Sequence, residues 1–446
     1  MKKVQKVKVG IIGFGRFGKL LAEILSDDFT VSVLVRDNRN EKLEKYSVGS
    51  NIEDFYKTND VVFFAVPIVA FESVILDHKR YFRKGQTLID VLSVKLHAKK
   101  VFDENLPPFV EAILTHPMFG PDSVKANGLP GLPFIIDRYK SSEQNYKFWK
   151  DYLTDKGFNV IEMSADEHDR LAAGSQGVTH FIGRLLNEIE FKPTSIDTVG
   201  AKKLYEVMDQ TCHDTWELFI GLQNYNPYTK QLRLNIGNAY DKIYNKLLPA
   251  QVDKDFITVG IQGGEGSFNE QAINEYVVKH NIKNYKVVYL YTSEKVLKNL
   301  HSGDIDLGLF AIHNSVGGIV TESVQAMARY KFQIVEEFSI KIRHFLMKRK
   351  YTDIKDAKIV MAHDQVFKQC KSNMKKYFPN LTQITGEGDL QDTARAAKAL
   401  SDGELDNHTL ILGHQNLAKL YDLDIIKEDL QDIVENFTSF LLVKRI

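Results

Sequence analysis

The sequence predicts an α/β protein with an all-helical middle: a parallel sheet of the dinucleotide-binding type, a helical segment, and a second α/β region. Short apolar runs alternate with amphipathic stretches over residues 1–163 and again over residues 256–446, which is typical of parallel strands covered by helices on both faces. Between them, residues 164–248 carry long helical periods without a convincing strand. Pro249 and a group of charged residues then indicate a linker at 247–255.

Composition is that of an ordinary globular protein and excludes two classes of partner. The chain has 446 residues, of which 43% are hydrophobic and 26% charged, and 58 basic residues balance 58 acidic ones. A chain without net charge lacks the positive field that nucleic acid or an anionic membrane surface attracts. No run reaches the roughly 20 apolar residues of a membrane span. Two cysteines, Cys212 and Cys370, cannot build a disulfide framework, which favours a cytoplasmic location.

The strands are predicted from short apolar runs. Each run is followed by a stretch with helical periodicity, so consecutive strands are expected to lie parallel. In the first α/β region the candidates are Val7–Ile12, Val31–Val35, Val61–Val66, Thr87–Val91, Ala112–Leu114 and Phe134–Ile136. In the second they are Thr258–Ile261, Val287–Leu290, Leu307–Phe310, Ile342–Met347, Ile359–Met361 and Phe440–Val443.

A glycine-rich turn follows the first strand and opens an amphipathic helix. Its residues are Gly13, Phe14, Gly15, Arg16, Phe17 and Gly18. In such a motif the first glycine allows a tight turn, the second lets the backbone approach a pyrophosphate, and the third lets helix and strand pack closely. The helix N-terminus adds N–H donors and positive potential. This context predicts a dinucleotide site, with a purely structural glycine turn as the alternative.

The end of the second strand bears on the choice of cofactor. NAD-binding proteins of this type carry an acid there, which bonds to the ribose hydroxyl. Here the strand ends in Val35 and Arg36, and a guanidinium can neutralise a 2′-phosphate. Asp37 follows at once, so a shift of one residue in the strand end would restore the acid. NADP is the predicted cofactor and NAD the alternative, and no metal site is predicted.

Three polar segments are expected near the ligand-binding edge of the first sheet, where the carboxyl ends of parallel strands lie. Asp90–Lys95 ends one strand and includes Ser93, and Leu114–Pro121 ends the next and includes His116. The third segment, Gly174–Arg184, is predicted to be helical. Its polar stripe, at intervals of four residues, consists of Gln176, His180 and Arg184.

These segments together resemble the prephenate/arogenate dehydrogenase family, most of all its plant-type arogenate branch. The runs DVLSVK, LTHPMFGP, SQGVTHFIGRLL and DTWELFIGLQNYN carry the resemblance, which covers residues 7–245. It implies that His116 accepts the proton of the ring hydroxyl while hydride leaves the same carbon for the nicotinamide, and that loss of carbon dioxide then makes the ring aromatic. It also implies that Ser93 orients the substrate and His116, and that the helical domain forms a homodimer.

The residue types suit this chemistry, and a structural alternative stays open for each. An imidazole with a pKa of about 6.5 can take a proton at neutral pH. A histidine before proline can equally close a strand end, and Ser93 can bond only to a backbone N–H. For His180 the alternative is a helix histidine satisfied by packing.

The two candidate substrates differ in one group, which is a keto acid in prephenate and an amino acid in arogenate. An extra cation favours prephenate, whereas an acid favours the arogenate ammonium. In Asp209–Asp214 the arginine of bacterial prephenate enzymes has no clear counterpart, and the plant-type enzymes resemble this chain in carrying an acid where Asp214 stands. The predicted function is therefore oxidative decarboxylation of arogenate with NADP, in tyrosine biosynthesis. Prephenate as the substrate, and Asp214 as a surface acid, remain open.

The second α/β region resembles the catalytic domain of prephenate dehydratase over residues 256–446, and the resemblance implies two lobes with a substrate cleft between them. The order of the motifs agrees: Gly263–Glu270, Ala311–Ser315, Ala362–Gln365, Asp392–Ala394 and a terminal Thr438–Phe440. The candidate dehydratase-type residues are Thr438, Asn314, Ser315 and Ser267. No regulatory domain is expected after this region.

Two departures from the dehydratase pattern bear on activity. Ser439 replaces the family's arginine, and His313 replaces its glutamate. A dicarboxylate substrate then lacks a fixed bidentate cation, for which the candidate substitutes are Arg343, His344 and Arg395. The prediction is a degenerate or ligand-sensing module with tyrosine or phenylalanine as effector. The alternative is a bifunctional dehydrogenase/prephenate dehydratase that serves both tyrosine and phenylalanine synthesis.

Overall fold

The computed structural model describes residues 7–36, 41–42 and 44–446. The chain divides into two compact units, residues 1–240 and 241–446. No helix in the described ranges is long and apolar enough to cross a lipid bilayer. The domain borders 1–163, 164–248 and 256–446 remain predictions.

The first unit is built on a nine-stranded sheet. In chain order its strands are β1 (Lys8–Ile12), β2 (Thr30–Leu34), β3 (Glu41–Lys42), β4 (Tyr46–Gly49), β5 (Val61–Phe64), β6 (Thr87–Asp90), β7 (Glu111–Pro117), β8 (Pro133–Lys140) and β9 (Asn159–Glu162). They lie side by side in the order β3-β4-β2-β1-β5-β6-β7-β8-β9. The β3–β4 and β7–β8 pairs run antiparallel, and the other described pairs run parallel. The predicted Rossmann-type sheet is confirmed.

The central strands are buried along their whole length because helices cover both faces of the sheet. All four residues of β5, and all four of β6, are buried. One face packs into a cluster around Trp149, and the other packs into a cluster around Phe71 and Phe102. The two clusters hold the carboxyl ends of the strands in fixed positions, which is what a ligand site at that edge requires.

Helices complete the first unit, which is entirely helical from residue 165 onward, as predicted. The last of them continues seven residues into the second unit. They are α1 (Arg16–Ser26), α2 (Ile52–Thr58), α3 (Ile68–His78), α4 (Lys95–Asn105), α5 (Pro121–Asn127), α6 (Glu143–Asp155), α7 (Ala165–Ala172), α8 (Val178–Glu188), α9 (Val199–Cys212), α10 (Trp216–Tyr225) and α11 (Tyr228–Leu247). A π-helical turn, Ala173–Gly177, joins α7 to α8. Leu222 of α10 packs into the core beside the sheet, whereas Leu204 of α9 is 44% exposed.

The second unit has two sheets, which confirms the predicted two-lobed α/β architecture. The first sheet contains β10 (Ile257–Ile261), β11 (Tyr285–Tyr289), β12 (Leu307–Asn314), β13 (Gly318–Ile319), β14 (Gln333–Lys341) and β20 (Phe437–Lys444). Its order is β11-β10-β12-β20-β14, with β13 paired to β12. The second sheet contains β15 (Phe345–Arg349), β16 (Ile359–Met361), β17 (Thr382–Ile384), β18 (Thr409–Gly413) and β19 (Leu423–Lys427). Its order is β17-β16-β18-β15-β19.

The helices of the second unit flank these sheets, and the chain returns to the first sheet only at its last strand. They are α12 (Phe268–Lys279), α13 (Ser293–Ser302), α14 (Thr321–Met327), α15 (Asp364–Tyr377), α16 (Thr393–Asp402) and α17 (Asn416–Leu420). Because β20 inserts between β12 and β14, the motif that ends the sequence lies in the middle of the first sheet.

Some strands differ from their predicted positions. The strand predicted at Ile342–Met347 runs over Phe345–Arg349, because Ile342 and Arg343 belong to the connection between the two sheets. Several strands have no predicted counterpart, since their apolar residues are interrupted by polar ones or are very few: Tyr46–Gly49, Asn159–Glu162, Gln333–Lys341, Thr382–Ile384, Thr409–Gly413 and Leu423–Lys427.

Candidate active site

The glycine turn lies between β1 and α1 and has the geometry of a phosphate-binding loop. Gly13 has a φ of 103°, and a Cβ there would lie 2.3 Å from the carbonyl oxygen of Ala65, so this turn requires glycine. A Cβ on Gly18 would lie 2.1 Å from the carbonyl oxygen of Gly13, whereas one on Gly15 would meet nothing within 4 Å. Gly15 therefore borders open space at the N-terminus of α1, where the helix presents unpaired N–H donors to an anion.

The other loop side chains fix the turn to its surroundings. The rings of Phe14 and Tyr46 are 6.0 Å apart, and those of Phe17 and Phe119 are 6.1 Å apart. Arg16 pairs with Asp122 at the start of α5. This contact, and more weakly the charge of Asp214, raises the pKa of Arg16. Asp214, one of the residues predicted to bind substrate, therefore lies near enough to the cofactor loop to act on Arg16.

Arg36 lies just beyond the end of β2 and is exposed. β2 neighbours β1 in the sheet, so Arg36 is at the same edge as the glycine turn. Asp37, the alternative acid, lies outside the described residues.

Ser93 and His116 follow neighbouring parallel strands. β6 and β7 pair in register from Thr87↔Glu111 to Asp90↔Leu114, which places both residues at the carboxyl edge of the sheet. His116 is 2% exposed, and Ser93 is half-buried. Ser93 makes no hydrogen bond within the described part of the chain, so its predicted contact with His116 is not formed here.

A buried ion pair supports the strand end that carries His116. The Lys95 ammonium contacts the Asp90 carboxylate and also donates to the carbonyl oxygen of Thr115. Asp90 in turn accepts a hydrogen bond from the Thr115 backbone N–H at 3.1 Å. Burial raises the pKa of Asp90 and lowers that of Lys95. Such a pair is costly to break, since either partner alone would leave an uncompensated charge in the core.

Two residues that the sequence analysis did not identify complete the surroundings of His116. The Nδ1 of His116 lies 2.8 Å from the Nε2 of His168, and the Nδ1 of His168 lies 2.8 Å from the Oδ1 of Asp169. Both new residues are on α7, at 2% and 0% exposure. In the sequence, the only trace of these two residues is the adjacent His-Asp pair in the run DEHDR. Their partner His116 lies 52 residues before His168.

The surroundings of His116 lower the pKa of its imidazole and so favour the neutral form. Burial is the largest cause, and the electrostatic effects of His168 and Lys95 act in the same direction, so the pKa of His116 lies well below 6.5. A neutral imidazole at pH 7 can accept a proton. The Nε2 of His116 makes no hydrogen bond among the described residues, and it is the nitrogen that remains for a substrate.

The predicted polar stripe spans the π-helical turn and α8. Gln176 lies in the turn itself, and the regular helix begins only at Val178, so the expected continuous helix is wrong at this point. One buried atom on each stripe residue has no hydrogen-bond partner among the described residues: Oε1 of Gln176, Nδ1 of His180 and Nε of Arg184. Buried polar atoms are normally satisfied, so these three make the stripe a candidate surface for binding a polar ligand.

Asp214 lies in the turn between α9 and α10 and not on a helix surface. Its carboxylate is 3.9 Å from the Nε2 of His180, and its carbonyl oxygen accepts a hydrogen bond from Arg184 at 2.6 Å. The Arg184 guanidinium also stacks over the ring of Trp216 at 5.3 Å. One carboxylate and two nitrogen-bearing side chains thus lie together, which suits a ligand that carries both an ammonium and a carboxylate.

The second unit contains a cavity between its two sheets. Helix N-termini from both lobes converge on it, and their capping side chains Ser267, Thr292, His363 and Asp392 all line it. Each of the four helices has ten or more residues. The start of each helix brings backbone N–H donors to the lining, which also includes the carboxyl side chains of Glu322, Asp389 and Asp392.

Among the described residues, no lysine or arginine lines this cavity. Arg343 forms two bonds of 2.6 Å to Asp429, and Arg395 bonds to Glu404 at 2.9 Å. The expectation that these arginines could serve a substrate is therefore wrong, because both are engaged elsewhere. His344 does line the cavity, with an unpartnered Nδ1, and burial lowers its pKa to about 4.

The predicted dehydratase-type residues separate into two groups. Thr438, Asn314 and Ser267 line the cavity, and the Nδ2 of Asn314 donates to the Thr438 hydroxyl at 3.0 Å. Ser315 is exposed and outside the lining. Its hydroxyl accepts a hydrogen bond from the backbone N–H of Phe437 at 2.9 Å, so it anchors the start of β20.

The two departures from the dehydratase pattern lie together and away from the cavity. His313 on β12 is the cross-strand partner of Ser439 on β20. Thr438 and Phe440 line the cavity and Ser439 does not, because successive side chains of a strand point to opposite faces. The Ser439 hydroxyl instead contacts that of Ser339 at 2.9 Å. Residue 439 thus cannot supply a cation to the cavity in this conformation.

No group of three or more histidine, cysteine, aspartate or glutamate side chains in the described ranges could hold a metal ion. Cys212 and Cys370 are both free thiols.

Comparison with known families finds three consecutive matches. The family described as "Prephenate dehydrogenase, nucleotide-binding domain" matches residues 24–162, "TYRAAT1-like, C-terminal domain" matches residues 185–255, and "Prephenate dehydratase" matches residues 259–446.

Three plant proteins from Arabidopsis thaliana are similar to parts of the chain. Arogenate dehydrogenase 1, chloroplastic, is 32% identical over 54% of this chain and 39% of its own length. Arogenate dehydrogenase 2, chloroplastic, is 31% identical over 55% of this chain and 71% of its own length. Arogenate dehydratase/prephenate dehydratase 2, chloroplastic, is 26% identical over 45% of this chain and 50% of its own length. The matched segment thus spans well under half of the first relative, nearly three quarters of the second, and half of the third.

Among solved structures, prephenate dehydrogenase from Aquifex aeolicus in complex with hydroxyphenyl propionate and NAD+ is 15% identical. The match covers 63% of this chain and 98% of the Aquifex aeolicus chain, with a TM-score of 0.41.

Proposed function

Because this chain belongs to the prephenate/arogenate dehydrogenase family, we propose that its first unit oxidatively decarboxylates arogenate, with NADP as the hydride acceptor. The glycine turn and the N-terminus of α1 would hold the pyrophosphate, since open space borders Gly15. A bound nicotinamide supplies the acceptor for the hydride that leaves the ring carbon. The remaining work falls to side chains at the carboxyl edge of the sheet.

His116 is proposed as the general base. Its Nε2 accepts the proton of the ring hydroxyl, so that the O–H electron pair can form the carbonyl as hydride departs. Release of carbon dioxide then leaves the aromatic product. The neutral state of His116, which its burial favours, is the state this role requires.

The polar stripe is proposed to bind the substrate. Gln176, His180 and Arg184 each carry a buried atom without a partner among the described residues, and a ligand carboxylate or hydroxyl can satisfy such atoms. Ser93, half-buried at the same edge as His116, is proposed to bond to the substrate hydroxyl and so orient it. Its present lack of a bond leaves it available for that contact.

Arogenate is preferred over prephenate because Asp214 lies beside His180. A carboxylate in this position attracts the ammonium group of arogenate and repels the keto-acid side chain of prephenate. NADP is preferred over NAD because Arg36 is exposed beyond β2, where a 2′-phosphate would lie.

The observation that carries the proposal is the placement of His116, buried and neutral, at the sheet edge that also bears the glycine turn. The test is a steady-state comparison of purified protein with four combinations: arogenate or prephenate, each with NADP+ or NAD+. The highest kcat/KM is expected for arogenate with NADP+. Higher kcat/KM with prephenate and NAD+ would overturn both preferences, and no turnover with any pair would overturn the dehydrogenase itself.

A second candidate function is a dehydratase in the second unit, which would make the chain bifunctional. The observation that favours it over a degenerate module is the intact cavity, in which Thr438 and Asn314 face the space while the two departures lie outside it. The N-termini of four helices supply N–H donors for a dicarboxylate there, and this binding has to outweigh the repulsion from Glu322, Asp389 and Asp392 in the same lining. Incubation with prephenate or arogenate in the absence of nicotinamide should yield phenylpyruvate or phenylalanine. If neither forms at high protein concentration, the unit is a ligand-sensing module, and tyrosine and phenylalanine are the effectors to add to the dehydrogenase assay.

We also propose that the chain is a cytoplasmic homodimer. The helical part of the first unit exposes several large apolar side chains, among them Ile189, Ile196, Val199, Leu204, Trp216 and Leu234. An apolar patch formed by such side chains would be typical of a subunit interface. A mass measurement in solution should give twice the 50.9 kDa of the chain, and a monomer at micromolar concentration would contradict the proposal. The free thiols suit a reducing compartment.

A further inference from the structure

The hydrogen bonds around His116 determine which of its nitrogens carries the proton. Asp169 offers only acceptors when ionised, so the Nδ1 of His168, 2.8 Å away, must donate to it. In a neutral imidazole the other nitrogen is then an acceptor. With His168 neutral, its Nε2 accepts, and the Nδ1 of His116 is the donor across the 2.8 Å between them.

We infer that His168 and Asp169 are positioning residues that hold His116 in the Nδ1–H tautomer, with its Nε2 bare for the substrate proton. This inference rests on the dehydrogenase function proposed above. If His168 were absent or turned around, His116 could carry its proton on Nε2 and would then have no lone pair to offer the substrate.

The same chain of bonds stabilises the product of proton transfer. When Nε2 takes the hydroxyl proton, His116 becomes a cation, and its Nδ1–H remains directed at His168. The carboxylate of Asp169 lies behind His168 and offsets the new charge through it, as in other acid–histidine pairs. No proton needs to leave the protein in this step: one O–H bond breaks and one N–H bond forms.

Asp169 has a second task, which affects the choice of variant. Val94, the N-cap of α4, has no capping side chain, and the Asp169 carboxylate accepts from the backbone N–H groups of Lys95 at 2.8 Å and Leu96 at 2.9 Å. A change at Asp169 would therefore disturb the start of α4 as well as the tautomer. The described structure shows no such bond from His168 to α4. A change at His168 therefore tests the effect on the tautomer of His116 without removing the cap of α4.

The test compares His168→Leu with His168→Gln. Leu cannot accept a hydrogen bond, whereas the carbonyl of Gln can still accept one from the Nδ1–H of His116. We expect His168→Leu to lower kcat by about 10²-fold or more with little change in the KM for arogenate, and to move the acidic limb of the pH profile. We expect His168→Gln to recover most of that loss. Equal kcat and pH profile in wild type and His168→Leu, or equal loss in both variants, would overturn the inference.

A second measurement does not depend on turnover. Imidazole ¹⁵N chemical shifts of histidine-labelled wild type, assigned with His116→Asn, report which nitrogen of His116 is protonated. Protonation of Nδ1 in the wild type supports the inference, and protonation of Nε2 refutes it, even if His168→Leu fails to fold. If the wild type had no dehydrogenase activity but His116 were protonated on Nδ1, the proposed function would be refuted. The inferred hydrogen bonds from His116 through His168 to Asp169 would still hold.

Discussion

His313 and Ser439 face each other across neighbouring antiparallel strands in the second unit, on positions outside the lining of its cavity. These are the two positions at which the dehydratase resemblance fails. Since they are direct cross-strand partners, a glutamate and an arginine there would pair with each other, and the loss of both together leaves no unpaired charge. The departures thus change a contact on the far face of the sheet and leave the cavity intact.

The opposite orientation of Thr438 and Ser439 predicts that substitutions at these adjacent residues have unequal effects on dehydratase turnover. Thr438→Val removes a hydroxyl that lines the cavity and bonds to Asn314, so we expect dehydratase turnover to fall by about 10²-fold or more. Ser439→Ala, the matched control one residue along the strand, should change it by less than about twofold. Both are measured as product formed without nicotinamide, and dehydrogenase turnover should be unaffected. Equal losses of turnover in the two variants would show that the face of the sheet that bears Ser439 also contributes to dehydratase activity.

Asp214 should govern the choice between the two substrates. Asp214→Asn removes the carboxylate beside His180, and a hydrogen bond to a charged group contributes about 1.5–3 kcal/mol. We expect kcat/KM for arogenate to fall by roughly tenfold or more while that for prephenate holds or rises. Asp209→Asn, on the exposed surface of α9, is the control and should change neither value. A uniform fall for both substrates would mean that Asp214 acts on folding and not on recognition.

Arg36 should govern the choice of cofactor. Arg36→Leu removes the exposed cation beyond β2, and we expect KM for NADP+ to rise by about tenfold or more, because a guanidinium–phosphate contact is charge-assisted and bidentate. KM for NAD+, which lacks the phosphate, should be unchanged. If both values rise together, Arg36 does not contact the 2′-phosphate.

The second unit should lose stability in mild acid, and His344 should account for part of the loss. Burial lowers the pKa of His344 from 6.5 to about 4 in the folded state, so the unfolded chain takes up a proton first as the pH falls. The free energy of unfolding therefore decreases from pH 6.5 down to about 4, by up to ~3 kcal/mol for this group. His344→Gln should reduce this decrease. Hydrogen exchange of β15 amides against pH gives the measurement, and an identical pH dependence in wild type and variant would contradict it.

The sequence predicted those features that depend on local order along the chain. The glycine turn, the polar segments after β6 and β7, and the two-lobed second region follow from strand–loop–helix patterns that are contiguous in sequence. Even so, Gln176 was assigned to a continuous helix, because a π-helical turn depends on how α7 and α8 pack and not on residue periodicity.

Features that depend on distant partners could not be predicted. His168 approaches His116 only because α7 packs against α4, where the Asp169 carboxylate caps the helix. β14 was missed because Glu336 and Glu337 interrupt its apolar residues, although its pairing with β20 makes it a strand. The registry that brings His313 opposite Ser439 is likewise set by the order of strands in the sheet.

The role of His116 as the base is the central claim, and His116→Asn tests it most directly. Asn keeps a side-chain N–H that can donate to His168 but cannot take a proton from the substrate. We expect kcat for NADP+ reduction with arogenate to fall by about 10²–10⁴-fold while the affinity for NADP+ is unchanged. In the wild type, kcat/KM should fall with decreasing pH only below 6.5, because the pKa of His116 is lowered by burial. A His116→Asn enzyme that keeps kcat within a fewfold of the wild type would contradict the account.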